Sequence, residues 1–509
     1  MSSGTKKKTV YMTMDLQEER HDQPWTSYHI ETSKRLDAIL NRLKESGLYE
    51  NAAIEHLPRR KATKEELELV HTPRYVQAIE NSSRYTTHSQ MEEFCTYYED
   101  IFVCEHTWNR ACLAAATAID LVGRVADSGS DGIAFVRPPG HHASPDAGCG
   151  FCIFNNVALA ASHVAARGKR VMIVDYDVHA ANGTQECVER IGGGTVKLAS
   201  IHRYEHGRFW PNISQSGIYH DDKNTMNLPL NAIDLTDADY LALFTQCILP
   251  AIHAHRPDVI IVSSGFDASL GDPEGCMKVT PAGFATMVRK LQETGVPVAA
   301  ILEGGYFLDA LAADSEWVVR TLLGETIPRV EVQKIDVSVV DTIARIHAKY
   351  EKTSSFYAKI LELRRLLELP VFVESGEMSD YEGERLAKYP YDTRGIYVPF
   401  SAGIELAFKT ELENILESYK NATTAPQIPF EIVDDVADDF LGVRDGKLVI
   451  GGGKAAKLFA QLVFLAPIDP LFVTETIGTD PVDFNAVTLD KTLKELKNIP
   501  IFKILPLLQ

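Results

Sequence analysis

Asp177 and His179 in Asp-Tyr-Asp-Val-His (175–179), and Asp267 in Ser-Gly-Phe-Asp-Ala (264–268), each follow a run of apolar residues. Two carboxylates and one imidazole make a three-donor set that leaves a position for water and substrate, as a catalytic rather than a structural zinc site requires. In an extended chain, residues two apart point the same way, so Asp-x-His delivers both donors to one side. Alone, that pattern is weak and better explained by an ion-paired aspartate; the second aspartate after a separate apolar run makes it much stronger. His141 and His142 follow a Pro-Pro-Gly turn. Two adjacent imidazoles cannot both be buried cheaply without partners, and they suit proton transfer. Asp175 and Asn182 flank the ligand motif and can orient them, the first stabilising an imidazolium by charge, the second holding its neighbour by a neutral hydrogen bond. Tyr306 follows Gly304 and Gly305, where backbone can approach closely, and its hydroxyl can serve a developing oxyanion. Without that context it would be a packed aromatic.

A scaffold has to bring these residues together. From about residue 130, short apolar runs alternate with amphipathic stretches, which predicts a layered α/β fold with a central, largely parallel sheet flanked by helices. Five runs read as buried strands: Ile133–Val136, Val171–Tyr176, Leu198–Ile201, Val259–Ser263 and Val298–Leu302. Helices are expected over Asn155–Ala166, from Thr236 (with Asp239 three residues on) towards His255, and from Thr280-Pro281 to Gly295. The chemical residues follow the strands, and in open α/β sheets ligands bind at the strands' carboxyl ends, so they should converge on one crevice.

Residues 1–327 read as one domain and 328–509 as a second region of mixed α and β. Helical stretches near 354–368, 404–420 and 454–466 and a hairpin at Asp445-Gly446 are expected there. Gly451-Gly-Gly-Lys454 lacks the spacing of a phosphate loop and reads as a turn. The net charge of −19 over 509 residues argues against nucleic acid or anionic membrane as partner and accommodates a basic one. No stretch approaches the roughly 20 apolar residues of a membrane span, and Val10–Leu16 is too short and polar for a leader. Eight cysteines are too sparse for a disulfide framework and point to a reducing compartment; Cys149 and Cys152, the one CxxC pair, read as buried thiols. Cytoplasm and nucleus both fit, Lys6–Lys8 being too short to decide between them.

Seven motifs, in order, resemble the zinc-dependent histone deacetylases of class II, in the arginase/deacetylase superfamily. They are Arg-Pro-Pro-Gly-His-His-Ala (137–143), Gly-Phe-Cys-Ile-Phe-Asn-Asn (150–156), Asp-Tyr-Asp-Val-His (175–179), Asn-Gly-Thr-Gln (182–185), Ser-Ile-His-Arg-Tyr-Glu-His-Gly-Arg-Phe-Trp-Pro (200–211), Ser-Gly-Phe-Asp-Ala (264–268) and Leu-Glu-Gly-Gly-Tyr (302–306). The resemblance spans roughly residues 9–325. It implies the arginase/deacetylase fold, zinc on Asp177, His179 and Asp267, His142 as general base and acid, His141 with Asp175 as an electrostatic partner, and Tyr306 polarising the acetyl carbonyl. It further implies a narrow tunnel lined by Gly150, Phe151 and Trp210, a potassium ion near Asp175, Asp177, His179, Ser200 and Ile201, and Asp100 at the rim holding the substrate backbone. Arg35 and the His71-Thr-Pro-Arg-Tyr-Val segment fit the family's amino-terminal signatures, where their role is structural.

The chain departs from the family's Asp-Val-His-His-Gly, reading Ala180 and Ala181 after His179, which bears on rate more than on zinc binding. The implied substrate is an acetylated lysine of a histone or another protein. Glu274 falls where the polyamine-deacetylase branch has an acidic gatekeeper, so an acetylpolyamine is the second candidate, with a solvated surface glutamate the plainer account; Pro24–Tyr28 does not match that branch's entrance insert. A third expectation is a weakly active scaffold whose C-terminal region binds a corepressor or another copy.

Overall fold

Runs such as Val-Met-Ile-Val-Asp and Val-Ala-Ala-Ile-Leu are buried at every position. A strand buried on both faces belongs inside a parallel sheet covered by helices, and that is where these lie. The structure is a computed structural model that describes residues 9–16, 19–26, 29–218, 223–328, 330 and 335–350, and the backbone of three strands between 430 and 451. The eight strands of its main sheet are β1 (Val10–Met14), β2 (Ile54–His56), β3 (Gly132–Phe135), β4 (Val171–Asp175), β5 (Val196–Arg203), β6 (Thr225–Leu230), β7 (Val259–Ser264) and β8 (Val298–Leu302). They run in the order β2-β1-β3-β8-β7-β4-β5-β6, every pair parallel. The expected fold class holds, and all five expected strands form, β4 ending one residue early and β5 extending at both ends.

Side chains of a strand alternate between faces. Val171 and Ile173 of β4, Val259 and Ile261 of β7 and Ala299 and Ile301 of β8 join one core cluster with helices Thr107–Ser128 and Asn156–Ala165. Their neighbours Met172, Val174, Ile260, Val262 and Ala300 are buried on the other face. Helices Lys34–Glu45, Pro281–Glu293 and Leu308–Leu322 pack on one another as a second layer. The Asn155 carboxamide accepts from Ala158 N–H at 2.9 Å and the Thr280 hydroxyl from Gly283 N–H at 3.2 Å, capping the helices that the sequence placed there. The helix expected from Thr236 forms as Asp237–Leu243, a π-helical turn Phe244–Ile248 and Leu249–His255.

The described residues fall into two compact units, one reaching Asp237 and resuming over Ala251–Pro328, the other comprising Ala238–Pro250 and the described residues from 330 onward. In the second, helix Val337–Tyr350 is preceded by Asp336, whose N–H donates to the Asp239 carboxylate at 2.6 Å. A small sheet of β9 (Phe430–Val433), β10 (Leu441–Arg444) and β11 (Lys447–Gly451) has the order β10-β11-β9. β10 and β11 are antiparallel with Arg444 opposite Lys447, as the expected hairpin requires. The helices expected at 354–368, 404–420 and 454–466, the turn residues 452–454 and Lys6–Lys8 lie outside the described residues. No helix among the described residues is long and apolar enough to cross a membrane.

His71 shows how the amino-terminal segment supports the strand-end loops. Its Nδ1 donates to the Ser144 carbonyl at 3.0 Å, and its Nε2 accepts from Asn155 N–H at 2.9 Å, so the ring must be neutral. Burial lowers its pKa to about 4. Unfolded, the ring takes a proton near pH 6.5; folded, only near 4, so its contribution is complete above about 6.5 and is lost as pH falls through that window. His21 and His202, lowered to about 3 and about 4 by burial, act in the same direction. The His71 part of the stability should therefore fall by on the order of 2 kcal/mol between about pH 7 and pH 5. In urea unfolding at the two pH values, His71→Gln should lose that component and so gain stability at pH 5 relative to pH 7 when set against the wild type; an unchanged difference between the two pH values would contradict this account.

Candidate active site

The five central strands, β3, β8, β7, β4 and β5, deliver from their carboxyl ends His141 and His142, Tyr306, Asp267, Asp177 with His179, and Trp210. Neighbours in the sheet thus become neighbours in the site. Asp177, His179 and Asp267 place one donor atom each within 4.8 Å of one another, all buried. His179 Nδ1 lies 3.2 Å from Asp177 Oδ1 and 3.0 Å from Asp267 Oδ2. The other carboxylate oxygens are occupied: Asp177 Oδ2 accepts from Gly304 N–H at 2.9 Å and Asp267 Oδ1 from Val178 N–H at 2.7 Å. One nitrogen and two oxygen donors converging in a buried site fit a zinc ion. Burial opposes charge on His179, but the two carboxylates outweigh it and raise its pKa to about 10; burial and the Asp177 charge push Asp267 up to about 8. A Cβ on Gly304 would lie 2.4 Å from Asp267 Oδ2 and 2.5 Å from Asp177 Oδ2, so only glycine lets this backbone reach the ligands.

His141 Nδ1 pairs with Asp175 Oδ2 at 3.1 Å, and His142 Nδ1 with Asn182 Oδ1 at 2.6 Å, the two partnerships expected from sequence. The rings lie 3.9 Å apart. Burial opposes a proton on His141, but Asp177 and Asp175 prevail and raise its pKa well above the ordinary value. Burial, helped by His141 and His179, lowers that of His142 well below it. Backbone N–H groups of Gly140 and His141 donate to Glu303 Oε2 at 2.7 and 3.1 Å, tying the Pro-Pro-Gly turn to the start of the Tyr306 loop. Cys152 accepts from His142 N–H at 3.4 Å and, with His141 and Glu303, forms a second group of donor atoms within 4.8 Å. Cys152 is buried, whereas Cys149 is only half-buried, which corrects the expectation that both would be buried.

Arg35 underlies the Tyr306 loop. Its Nε donates to the Gly305 carbonyl at 2.7 Å, its Nη2 to the Glu303 carbonyl at 2.5 Å, and its guanidinium lies 5.0 Å from the Tyr306 ring centre. Glu31 bridges Arg35 at 3.1 Å and Arg137 at 2.5 Å, all three fully or almost fully buried. The burial cost to the Glu31 charge is outweighed by Arg137 and Arg35, which hold its pKa down to about 2.

At the mouth, Phe151 meets the Tyr306 ring edge-on at 5.9 Å, and Trp210 meets His142 at 4.6 Å while its indole N–H donates to Glu99 at 2.9 Å. Gly150 permits this packing, because a Cβ there would lie 2.4 Å from Trp210 and 2.7 Å from His142. The Asp100 carbonyl accepts from Phe151 N–H at 2.8 Å. Partial burial raises the Asp100 carboxyl; His29 lowers it, and Glu274 and Glu99 raise it, so these side chains lie within electrostatic reach of one another. Glu274 is half-buried. Ser200 lies opposite Asp175 in the β4–β5 register and hydrogen bonds His202 at 2.8 Å, with Ile201 buried beside it.

A model of the histone deacetylase domain matches residues 29–322. The chain belongs to the histone deacetylase family. It is 39% identical over 308 residues to the polyamine deacetylase HDAC10 of Homo sapiens, covering 59% of this chain and 45% of that protein. It is 38% identical over 307 residues to histone deacetylase 15 of Arabidopsis thaliana, covering 58% and 53% respectively. Among solved structures, the HDA15 HD domain superposes with a TM-score of 0.62 at 31% identity, over 71% of this chain and 99% of that one. The chain spans about half the length of these curated relatives. The class II resemblance drawn from the seven motifs thus stands.

Within this histone deacetylase fold, Ala180 and Ala181 are buried and lead directly into helix Asn182–Ile191, so Asn182 still reaches His142. Sequence reasoning assigned no role to Phe209, which stacks on His179 at 5.3 Å with Arg203 4.1 Å from its ring centre, or to Glu303 and Arg137; all lie inside the quoted motifs. Glu31 lies four residues before Arg35, in the segment that fits the family's amino-terminal signature, and was given no role of its own. Glu31→Gln would remove the buried carboxylate charge that Arg35 and Arg137 share and should cost about 3–5 kcal/mol in urea unfolding. Asp37→Asn, breaking an exposed pair with Arg20, should cost under about 1 kcal/mol. Equal effects would contradict the role given to Glu31.

Proposed function

We propose that residues 1–327 form a zinc-dependent deacetylase domain that hydrolyses the acetamide of acetyllysine side chains in histones or other proteins. The convergence of Asp177, His179 and Asp267 beside the His141–Asp175 and His142–Asn182 pairs carries this reading. Zinc, held by those three ligands, would supply Lewis-acid polarisation of the acetyl carbonyl and activation of water. His142, held through Nδ1 by a neutral carboxamide, leaves Nε2 to take a proton from the attacking water and return it to the departing amine. His141, paired with a carboxylate, contributes charge. The Tyr306 hydroxyl donates to the carbonyl oxygen as it becomes an oxyanion. Gly150, Phe151 and Trp210 enclose the aliphatic stem, and Asp100 holds substrate at the rim. Asp175, Ser200 and Ile201, with Asp177 and His179, would hold a structural potassium ion. Residues 328–509 form a separate region for binding a corepressor or another copy, and the protein works in the cytoplasm, the nucleus or both.

A second reading, an acetylpolyamine deacetylase, is favoured by the carboxylates of Asp100 and Glu274 and by the likeness to a protein named as a polyamine deacetylase. A second ammonium group on the substrate would find a counter-charge there.

Purified chain loaded with one zinc per molecule should release acetate from an acetyllysine peptide, with Tyr306→Phe lowering kcat by about 100- to 1,000-fold. Chelation should abolish turnover and zinc restore it. Turnover of acetylspermidine alone, with the preference lost in Glu274→Leu, would replace the first reading with the second. Inactivity of the zinc-replete protein on both would remove the enzyme reading in favour of a scaffold.

A further inference from the structure

The turn Gly271-Asp-Pro-Glu-Gly275 lies between the loop of Asp267 and helix Pro281–Glu293. Its Asp272 is buried, and its two carboxylate oxygens serve different partners. Oδ2 accepts from the backbone N–H of Tyr306 at 2.6 Å and of Phe307 at 3.0 Å. Oδ1 accepts from the backbone N–H of Glu274 at 2.9 Å. Phe307 immediately precedes helix Leu308–Leu322, whose N-terminal end favours an anion.

The rest of the turn is also braced. Arg203 Nη1 donates to the Gly275 carbonyl at 3.3 Å, while the same guanidinium lies over Phe209. A Cβ on Gly275 would fall 1.9 Å from the Asp267 carbonyl oxygen, so the turn sits directly on the ligand loop. Among the described residues, Asp272 is the one side chain that hydrogen bonds the backbone of both Tyr306 and Glu274.

We propose that Asp272 is a positioning residue that sets the place of Tyr306 through one oxygen and of Glu274 through the other, coupling the rate of the reaction to its choice of substrate. This rests on the deacetylase reading. The geometry separates the two arms. An alanine removes both acceptors. An asparagine keeps one oxygen, which faces the two donors of Tyr306 and Phe307 and leaves its amide NH2 opposed to the Glu274 N–H, so the Glu274 arm alone is released.

Acetate release by the full zinc-loaded chain from acetyllysine peptide and acetylspermidine tests this. Asp272→Ala should lower kcat by roughly 30- to 100-fold with KM changed less than about 3-fold, the loss expected when a reacting group shifts by about 1 Å. Asp272→Asn should keep kcat within about 3-fold, while the ratio of kcat/KM for the two substrates moves towards that of Glu274→Leu. Should Asp272→Ala not fold, Asp272→Asn still decides, because a change in the ratio without a fall in kcat is not produced by general loosening. Parallel falls in kcat for both variants with an unchanged ratio, or no change in either, would overturn the proposal. Absence of turnover in the wild-type chain would instead overturn the deacetylase reading and this inference with it.

Discussion

Asp175, Asp177, Asp267 and Glu303 are fully buried together at the carboxyl ends of β4, β7 and β8. Carboxylates removed from water survive only if hydrogen-bond donors and positive charge replace it. The strand-end loops are shaped by that requirement. Backbone N–H groups of Gly140, His141, Asp177, Val178, His179 and Gly304 all turn towards these four side chains. Imidazoles of His141 and His179 supply further donors. The balance is uneven: His141 and His179 hold Asp177 well below the ordinary range against burial, whereas Asp267 and Glu303 are raised, first by burial, to about 8 and about 7. A divalent cation among Asp177, His179 and Asp267 would supply what is lacking, and the same electrostatic constraint accounts for the folding of the loops and for the chemistry proposed for them.

A second buried cluster of opposite sign lies behind the Tyr306 loop. Arg35 and Arg137 share Glu31, and Arg35 donates as well to the carbonyls of Glu303 and Gly305. Carbonyl groups at a sharp glycine turn have few backbone partners, so a guanidinium from the first helix completes their hydrogen bonding. The amino-terminal segment, distant in sequence from every reacting group, thereby fixes the residue proposed to stabilise the oxyanion. Its assignment as merely structural understates it: Arg35 touches the Tyr306 ring as well as its backbone support.

The central strands were legible because a strand covered on both faces is written as an unbroken apolar run, and the convergence of Asp177, His179 and Asp267 because each follows such a run. β1, β2 and β6 were not. β2 is three residues with two exposed, β6 is an edge strand containing Asn227 and Pro229, and β1 is a five-residue run read only for its inability to serve as a leader. Helix Thr107–Ser128 is alanine-rich and buried around most of its circumference, so its period is marked only by a narrow, widely spaced polar stripe of Asn109, Asp120, Arg124 and Asp127. Pairings between near neighbours or motif members, such as His142 with Asn182, could be anticipated. Pairings like Glu31 with Arg137 join residues 106 apart and follow from topology alone.

The mouth of the site is held by a different kind of constraint. Asp100, Phe151, Glu205, His206 and Cys276 all have positive φ, a conformation that costs side-chain-bearing residues roughly 1–2 kcal/mol each. Each strained segment is locked by a neighbour. Phe151 N–H donates to Asp100, Gly150 N–H to Glu99, and Arg203 ion-pairs with Glu205 while donating to the turn that carries Glu274. Strain of this kind persists only where surrounding bonds over-determine it, so the aromatic walls and the acidic rim are fixed relative to one another before substrate arrives. A wall preset in this way discriminates by shape and by charge at fixed positions, so under the proposed reading the placement of Asp100 and Glu274, rather than the proposed ligand set, is the feature on which substrate choice should turn.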